Sequence, residues 1–328
     1  MSVVARRGNT LVLAICVLIA LPVVTRNAVW TDSAALLGIY ALLALSVGLS
    51  YGQAGILTLS QAAFASLGAY AAAICTVRWG WPPLADLPVA LLLPALIAFP
   101  VARLVARLSP LATALSTLAI GSIIAIAIRS ADDFTGGYMG IAGVPSIGFV
   151  KAPASYAWLI WTMVVIVVFL YENLCHSAYG RALNVLRFDQ ARAAADGVNP
   201  PMLVSAAFAI SSSIAGVSGW LYAHYISFVS PESLDAHLSI SALLMAVVGG
   251  AEFILGPILG TLLLDGLTRL LPAAELQGVY YGIALIVILL VARRGIFGLI
   301  EGGLAQVRQL RRSRSGEVTA LEIEASRP

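Results

Sequence analysis

Charge is what this chain has least of. Only 11% of its 328 residues are Asp, Glu, Lys or Arg, where soluble domains carry about 25%. Lysine is reduced to Lys151 alone, followed by Ala152, so no GxxxxGK[ST] phosphate loop exists and nucleotide binding by that route is excluded. Histidine is nearly as scarce. His176, His224 and His237 are scattered, with no HExxH and no Cys/His cluster, so no metal site and no catalytic residue is expected, and the histidines read as structural. Three cysteines, Cys16, Cys75 and Cys175, sit in or beside apolar runs and read as small apolar residues, not as a disulfide framework. Nucleic acid binding gets no support from so little basic residue.

What the chain has instead is apolar length. Hydrophobic residues make up 60% of it, and ten runs approach or reach the roughly 20 residues a helix needs to cross a bilayer: 10–25, 33–50, 56–77, 87–107, 111–129, 154–173, 202–226, 238–251, 253–271 and 277–292. Backbone groups in lipid must be satisfied within the segment, so the expected fold is all-α, a polytopic membrane protein of about ten transmembrane helices. The run 238–251 is short, and Gly249, Gly250 and Gly256 follow closely, so this region is either a tight helical hairpin or includes a broken, re-entrant element. The basic, apolar N-terminus resembles a signal peptide without a convincing cleavage site and is read as a retained first span.

Alternate threading puts Arg6, Arg7, Arg103, Arg107, Arg181, Arg187, Arg192, Arg293, Arg294 and the arginines after 307 on one side. Only Arg26, Arg78, Arg129, Lys151 and Arg269 fall on the other. The positive-inside rule makes the first side cytoplasmic, with both termini on it. The expected organisation is a transmembrane domain over 1–307 and a flexible cytoplasmic tail over 308–328. Two external loops, 132–145 and 227–238, look ordered. At membrane depth Asp265 is the one acid expected inside a span, paired with Arg269 at i+4.

One charged segment interrupts the apolar pattern, 177–201, SAYGRALNVLRFDQARAAADGVNPP. On a helix at about 100° per residue, Ala182, Leu183, Leu186, Ala193 and Ala194 share one face. Arg181, Val185, Phe188 and Arg192 lie opposite, with Asp189 and Asp196 alongside. Gly197 suits the left-handed position after a helix, and Pro200 with Pro201 stop its continuation. An apolar-plus-arginine face is either a docking surface or a helix resting among anionic headgroups.

At this point the residues support a resemblance. GRALNVLRFDQARAAADGVN resembles the cytoplasmic coupling segment of LivM-type permeases of branched-chain amino acid ABC importers. LSYGQAGILTLSQAAFASLGAY, FTGGYMGIAGVP, SPESLDAHLSISALLMAVVGGAEFILGPILG and RRGIFGL resemble further motifs of that family, in the family's order. Departures are Ser60, Met139, Ser241 and the Glu252–Phe253 pair. The resemblance implies a bacterial inner-membrane permease, not an enzyme, lodged in the lipid bilayer. It would work with a second, LivH-type permease, two cytosolic ATPase subunits that use ATP, and a periplasmic solute-binding protein. This chain would bind no cofactor itself.

By the same resemblance Tyr179, Gly180, Arg181, Val185, Phe188, Arg192, Ala193, Ala194 and Gly197 form the ATPase-coupling element. Thr58, Ser60, Gln61, Gly249 and Gly250 are candidates for the substrate path, because a polar solute needs hydrogen-bonding groups among apolar spans. Branched-chain or related hydrophobic amino acids are the expected solutes, with urea, amides or another small polar solute as the alternative. A different class also stands open: an ion-coupled secondary carrier using Asp265 or Glu252.

Overall fold

The computed structural model describes residues 8–106, 108–148, 150, 152–188, 190–195, 197–270, 282, 286 and 295–298. Nearly all of the run 277–292, the tail 308–328, Asp189 and Asp196 lie outside the described residues, as do the side chains of Arg192 and Arg269. The described elements are helices α1 Gly8–Val24, α2 Ala28–Val47 with a π-helical continuation Gly48–Gln53, and α3 Gln61–Ala73, which runs on as π-helix Ile74–Arg78. Next come α4 Leu87–Val105, α5 Pro110–Ser130, the single turn α6 Asp132–Thr135, α7 Pro153–His176, α8 Ala178–Phe188 and α9 Gln190–Ala195. Three more helices, α10 Pro200–Ile226, α11 Ala236–Gly249 and α12 Gly256–Leu270, complete the set, together with strands β1 Ile141–Ala142 and β2 Phe228–Val229. Five helical segments, Ala28–Gln53, Leu87–Val105, Pro110–Ser130, Pro153–His176 and Pro200–Ile226, are long and apolar enough to cross a membrane. The chain is a polytopic all-α membrane protein.

Helix α10 is the hub, packing against α2, α3 and α4. Its 27 residues extend about 40 Å at 1.5 Å per residue. Asn199 caps it by accepting from the Met202 N–H at 3.3 Å, and Pro200 and Pro201 occupy its first turn, where their missing N–H groups cost nothing. These prolines therefore open a helix as well as barring the previous one. The α3–α10–α4 contact is made by small residues, Gly68 against Gly216 and Gly216 against Ala90. Such residues let helices approach where lipid supplies no hydrophobic drive. At the start of α1 the buried Glu172 carboxylate of α7 accepts from the Asn9 and Thr10 N–H groups at 3.2 and 3.1 Å, satisfying open donors of the first turn.

The two ends of α10 define the two ends of the molecule. At the far end β1 pairs antiparallel with β2, Ile141 opposite Val229 and Ala142 opposite Phe228, which ties together the two loops expected to be ordered. There Asp86, fully buried, accepts from Trp220 Nε1 at 2.8 Å and faces His224 Nε2 at 3.1 Å, while His224 Nδ1 faces the Pro145 carbonyl at 2.8 Å. His224 is thus structural, as its isolation in the sequence suggests. The near end carries α8, α9 and the turn between α11 and α12.

Two apolar runs fold differently from their even hydropathy. The run 56–77 is not helical until Gln61. Gly55 takes a left-handed φ of 70°, and the chain enters the bundle without regular structure as far as Ser60. The freed backbone groups find side-chain partners: Leu59 N–H donates to Thr117 Oγ1 at 3.1 Å and Ala62 N–H to Ser239 Oγ at 2.9 Å. Runs 238–251 and 253–271 form the tight hairpin alternative, α11 packed on α12. Gly250 turns the chain at φ 105°, and Gly249 and Gly260 face backbone so closely that no Cβ fits.

Candidate functional site

The near-end surface is built on α8. Ser177 Oγ accepts from the Gly180 N–H at 3.2 Å and opens the helix, and Gly180 lies so close to the Leu174 and Cys175 carbonyls that a Cβ there would meet backbone. Only glycine lets α8 turn off the end of α7 this sharply. Leu183 and Leu186 are buried and Tyr179 half-buried, its hydroxyl donating to the Leu203 carbonyl at 3.5 Å and its phenol pushed up by burial. Facing out are Arg181, Asn184 and Phe188, at i, i+3 and i+7, with Phe188 77% exposed.

Each expected face needs one correction. Val185 is half-buried because it packs onto the core, and Asn184 takes its place on the exposed stripe. Ala194 is exposed while Ala193 is fully buried, so only one of the two packs inward. Arg192 lies on α9. Gly197 takes φ 81°, and Val198 N–H bonds the Ala193 carbonyl at 3.1 Å, the expected helix stop.

An ion pair adds a further tie between this surface and the rest of the bundle. Arg187 on α8 pairs with Glu252 in the α11–α12 turn at 2.6 Å, and Gln53, at the end of the π-helix, donates to the Glu252 carbonyl at 3.1 Å. Three segments therefore meet at Glu252, which is 49% exposed. Solvent weakens such a pair to about 0.2–1 kcal/mol. A double-mutant cycle of Arg187→Ala and Glu252→Ala, read by thermal unfolding of the purified protein, is expected to give a coupling energy within that range; a value above about 2 kcal/mol would contradict this reading of the pair.

Of the path candidates, Thr58, Ser60 and Gln61 come together in a buried polar cluster. Thr58 and Ser60 hydroxyls lie 3.1 Å apart, Gln61 Nε2 donates to Ser211 Oγ at 3.1 Å, and Gln61 Oε1 accepts from Ser46 Oγ at 3.4 Å. Beside them Ser212 Oγ is buried without a partner among the described residues. Gly249 and Gly250 are elsewhere, in the α11–α12 turn, where their geometry serves close packing. Asp265 lies half-buried on α12.

On the other side of Ser60 a cavity of about 310 Å³ opens between α3, α5 and the start of α11, with Arg129, Asp235, Ser66 and Ser122 in its wall. Reading the sequence by run rather than by face missed these residues. The signal was there: Leu118, Ser122, Ala125 and Arg129 share one helical stripe, and Leu59, Ala63 and Ser66 repeat at about the same spacing.

A family model described as "Branched-chain amino acid transport system / permease component" matches residues 30–292. The chain is 29% identical over 260 residues to the "High-affinity branched-chain amino acid transport system permease protein LivM" of Escherichia coli (strain K12), covering 71% of this chain and 61% of that protein. The protein of the same description from Salmonella typhimurium (strain LT2) matches with the same identity and coverage. The match thus spans 61% of the length of these curated relatives. No solved structure matches.

Proposed function

The chain belongs to the branched-chain amino acid transport permease family, and from that premise we propose that it is the membrane-embedded permease subunit of an ATP-driven importer for branched-chain or related hydrophobic amino acids. Its partners are a second, LivH-type permease, two cytosolic ATPase subunits and a periplasmic solute-binding protein. It lies in the bacterial inner membrane with about ten spans, the permease domain over 1–307 and the tail over 308–328. Both termini and α8 are on the cytoplasmic side, and the β1–β2 end faces the periplasm. ATP is used by the partners, and this chain binds no cofactor.

The observation that carries the coupling role is the exposed Phe188 between Arg181 and the Arg187–Glu252 link. A large aromatic left in solvent beside arginines has the composition of an interface anchor. A push on α8 would pass through Glu252 to the α11–α12 hairpin and through Gln53 to the end of α2. Alternating access is the motion such a linkage serves.

The test is Arg181→Glu with Phe188→Ala in the assembled complex. ATP-dependent leucine uptake is expected to fall at least fivefold per molecule of membrane-inserted chain, while basal ATP hydrolysis by the subunits persists. Unchanged uptake would overturn the coupling assignment. Leucine uptake by this chain alone, driven by a proton or sodium gradient and lost in Asp265→Asn or Glu252→Gln, would replace the importer with a carrier.

A further inference from the structure

We propose that the cavity between α3, α5 and the start of α11 is a subsite for a zwitterionic amino acid with an apolar side chain, its carboxylate held by Arg129 and its ammonium by Asp235. The proposal rests on the permease reading and adds to it a place and a charge pattern for the solute. At about 310 Å³ the cavity is at the lower limit of small-molecule sites, roughly 300 Å³, which suits one amino acid.

One buried polar atom of its wall is unsatisfied. Arg129 Nε is enclosed and has no hydrogen-bond partner among the described residues. Buried donors are almost always paired, so an unpaired one beside a cavity points to a ligand that supplies the acceptor. Among the described residues the Tyr138 ring lies near the guanidinium, 5.7 Å from Cζ to its centroid, and neither ion pair involves Arg129 or Asp235.

Asp235 supplies the opposite sign. Its Oδ1 caps α11 by accepting from the Leu238 N–H at 3.1 Å, which leaves Oδ2 for a second donor. The rest of the wall is largely apolar, with Leu59 and Leu118, and the Ser66 and Ser122 hydroxyls interrupt it. A cation, an anion and an aliphatic wall around one space supply a partner for each part of an aliphatic α-amino acid. An uncharged solute such as urea would leave both charges without an ionic partner.

The experiment uses the complete transporter in vesicles with Ser122→Cys in this chain, read by mass spectrometry of maleimide labelling at residue 122. Leucine is expected to slow labelling at least fivefold. 4-Methylpentanoate, which lacks the ammonium, and 3-methylbutylamine, which lacks the carboxylate, are expected to slow it less than twofold. Arg129→Gln and Asp235→Asn should each remove leucine protection; asparagine keeps the α11 cap, and Arg129→Lys should retain part of the protection, which a misfolded chain would not. Vesicles that take up leucine with labelling unaffected, or protection that survives both neutralising substitutions, overturn the subsite and leave the permease reading intact. Vesicles that take up no leucine but show charge-dependent protection sink the transport reading and keep the subsite, and failure of both overturns both.

Discussion

Replacing Gly216 with leucine is expected to abolish accumulation of folded protein, and Gly216→Ala to destabilise it by roughly 3 kcal/mol. Gly216 lies where three helices meet. A Cβ there would overlap the Ala90 carbonyl oxygen of α4 and sit 2.7 Å from Pro94 Cγ, while a Cβ on Gly68 of α3 would sit 2.6 Å from the Gly216 Cα. The first obstruction is backbone, so no rotamer change relieves it and a whole helix must shift. Because α10 holds α2, α3 and α4 together, the shift is not local. Gly266 is the control: no atom of the described residues lies within 4 Å of a Cβ built there, and Gly266→Ala on a helix is expected to be neutral or stabilising by up to about 1 kcal/mol. Tryptophan-detected unfolding of the purified complex reads both, and equal midpoints for the two alanine variants would refute the three-helix contact.

That contact was partly legible beforehand, since glycines at helical spacing in an apolar chain imply close helix approach. So were the stop at Gly197, the inward Leu183 and Leu186, and the exposed Arg181 and Phe188, because helical periodicity is a local property. The break before Gln61 was not. Ile56, Leu57 and Leu59 read as the start of a span, and the groups that take up the free N–H groups of Leu59 and of Ala62 at the helix start are the Thr117 and Ser239 hydroxyls, which lie far along the chain. Hydropathy cannot register partners 58 and 177 residues away. The cavity charges were hidden for the same reason. Arg129 and Asp235 stand at the ends of different runs, and only the packing of α3 against α5 and α11 sets them around one space.

Asp86→Ala is expected to destabilise the protein by about 3–5 kcal/mol, the cost of leaving both of its buried hydrogen-bond partners unsatisfied, whereas Asp86→Asn should recover most of that loss. The difference follows from counting donors and acceptors. Asp86 has no exposed side-chain surface, and its two oxygens meet Trp220 Nε1 at 2.8 Å and His224 Nε2 at 3.1 Å. The other imidazole nitrogen faces the Pro145 carbonyl at 2.8 Å, which only accepts. Nδ1 therefore donates to Pro145, and a hydrogen bond joins Nε2 to the carboxylate. Alanine strands the indole N–H and the ring without water to replace the lost partner. Asparagine accepts from Trp220 with its carbonyl and donates to Nε2 with its amide, and the ring stays neutral with Nδ1 still bonded to Pro145. Because Tyr156 also joins this end, accepting from the Ile147 N–H at 2.9 Å and donating to the His224 carbonyl at 3.2 Å, the loss should spread to the loop between β1 and α7. Unfolding midpoints of the two variants, with hydrogen exchange at Ile147 as a local probe, decide the matter: equal midpoints for alanine and asparagine would mean that the Asp86 hydrogen bonds do not hold this end together.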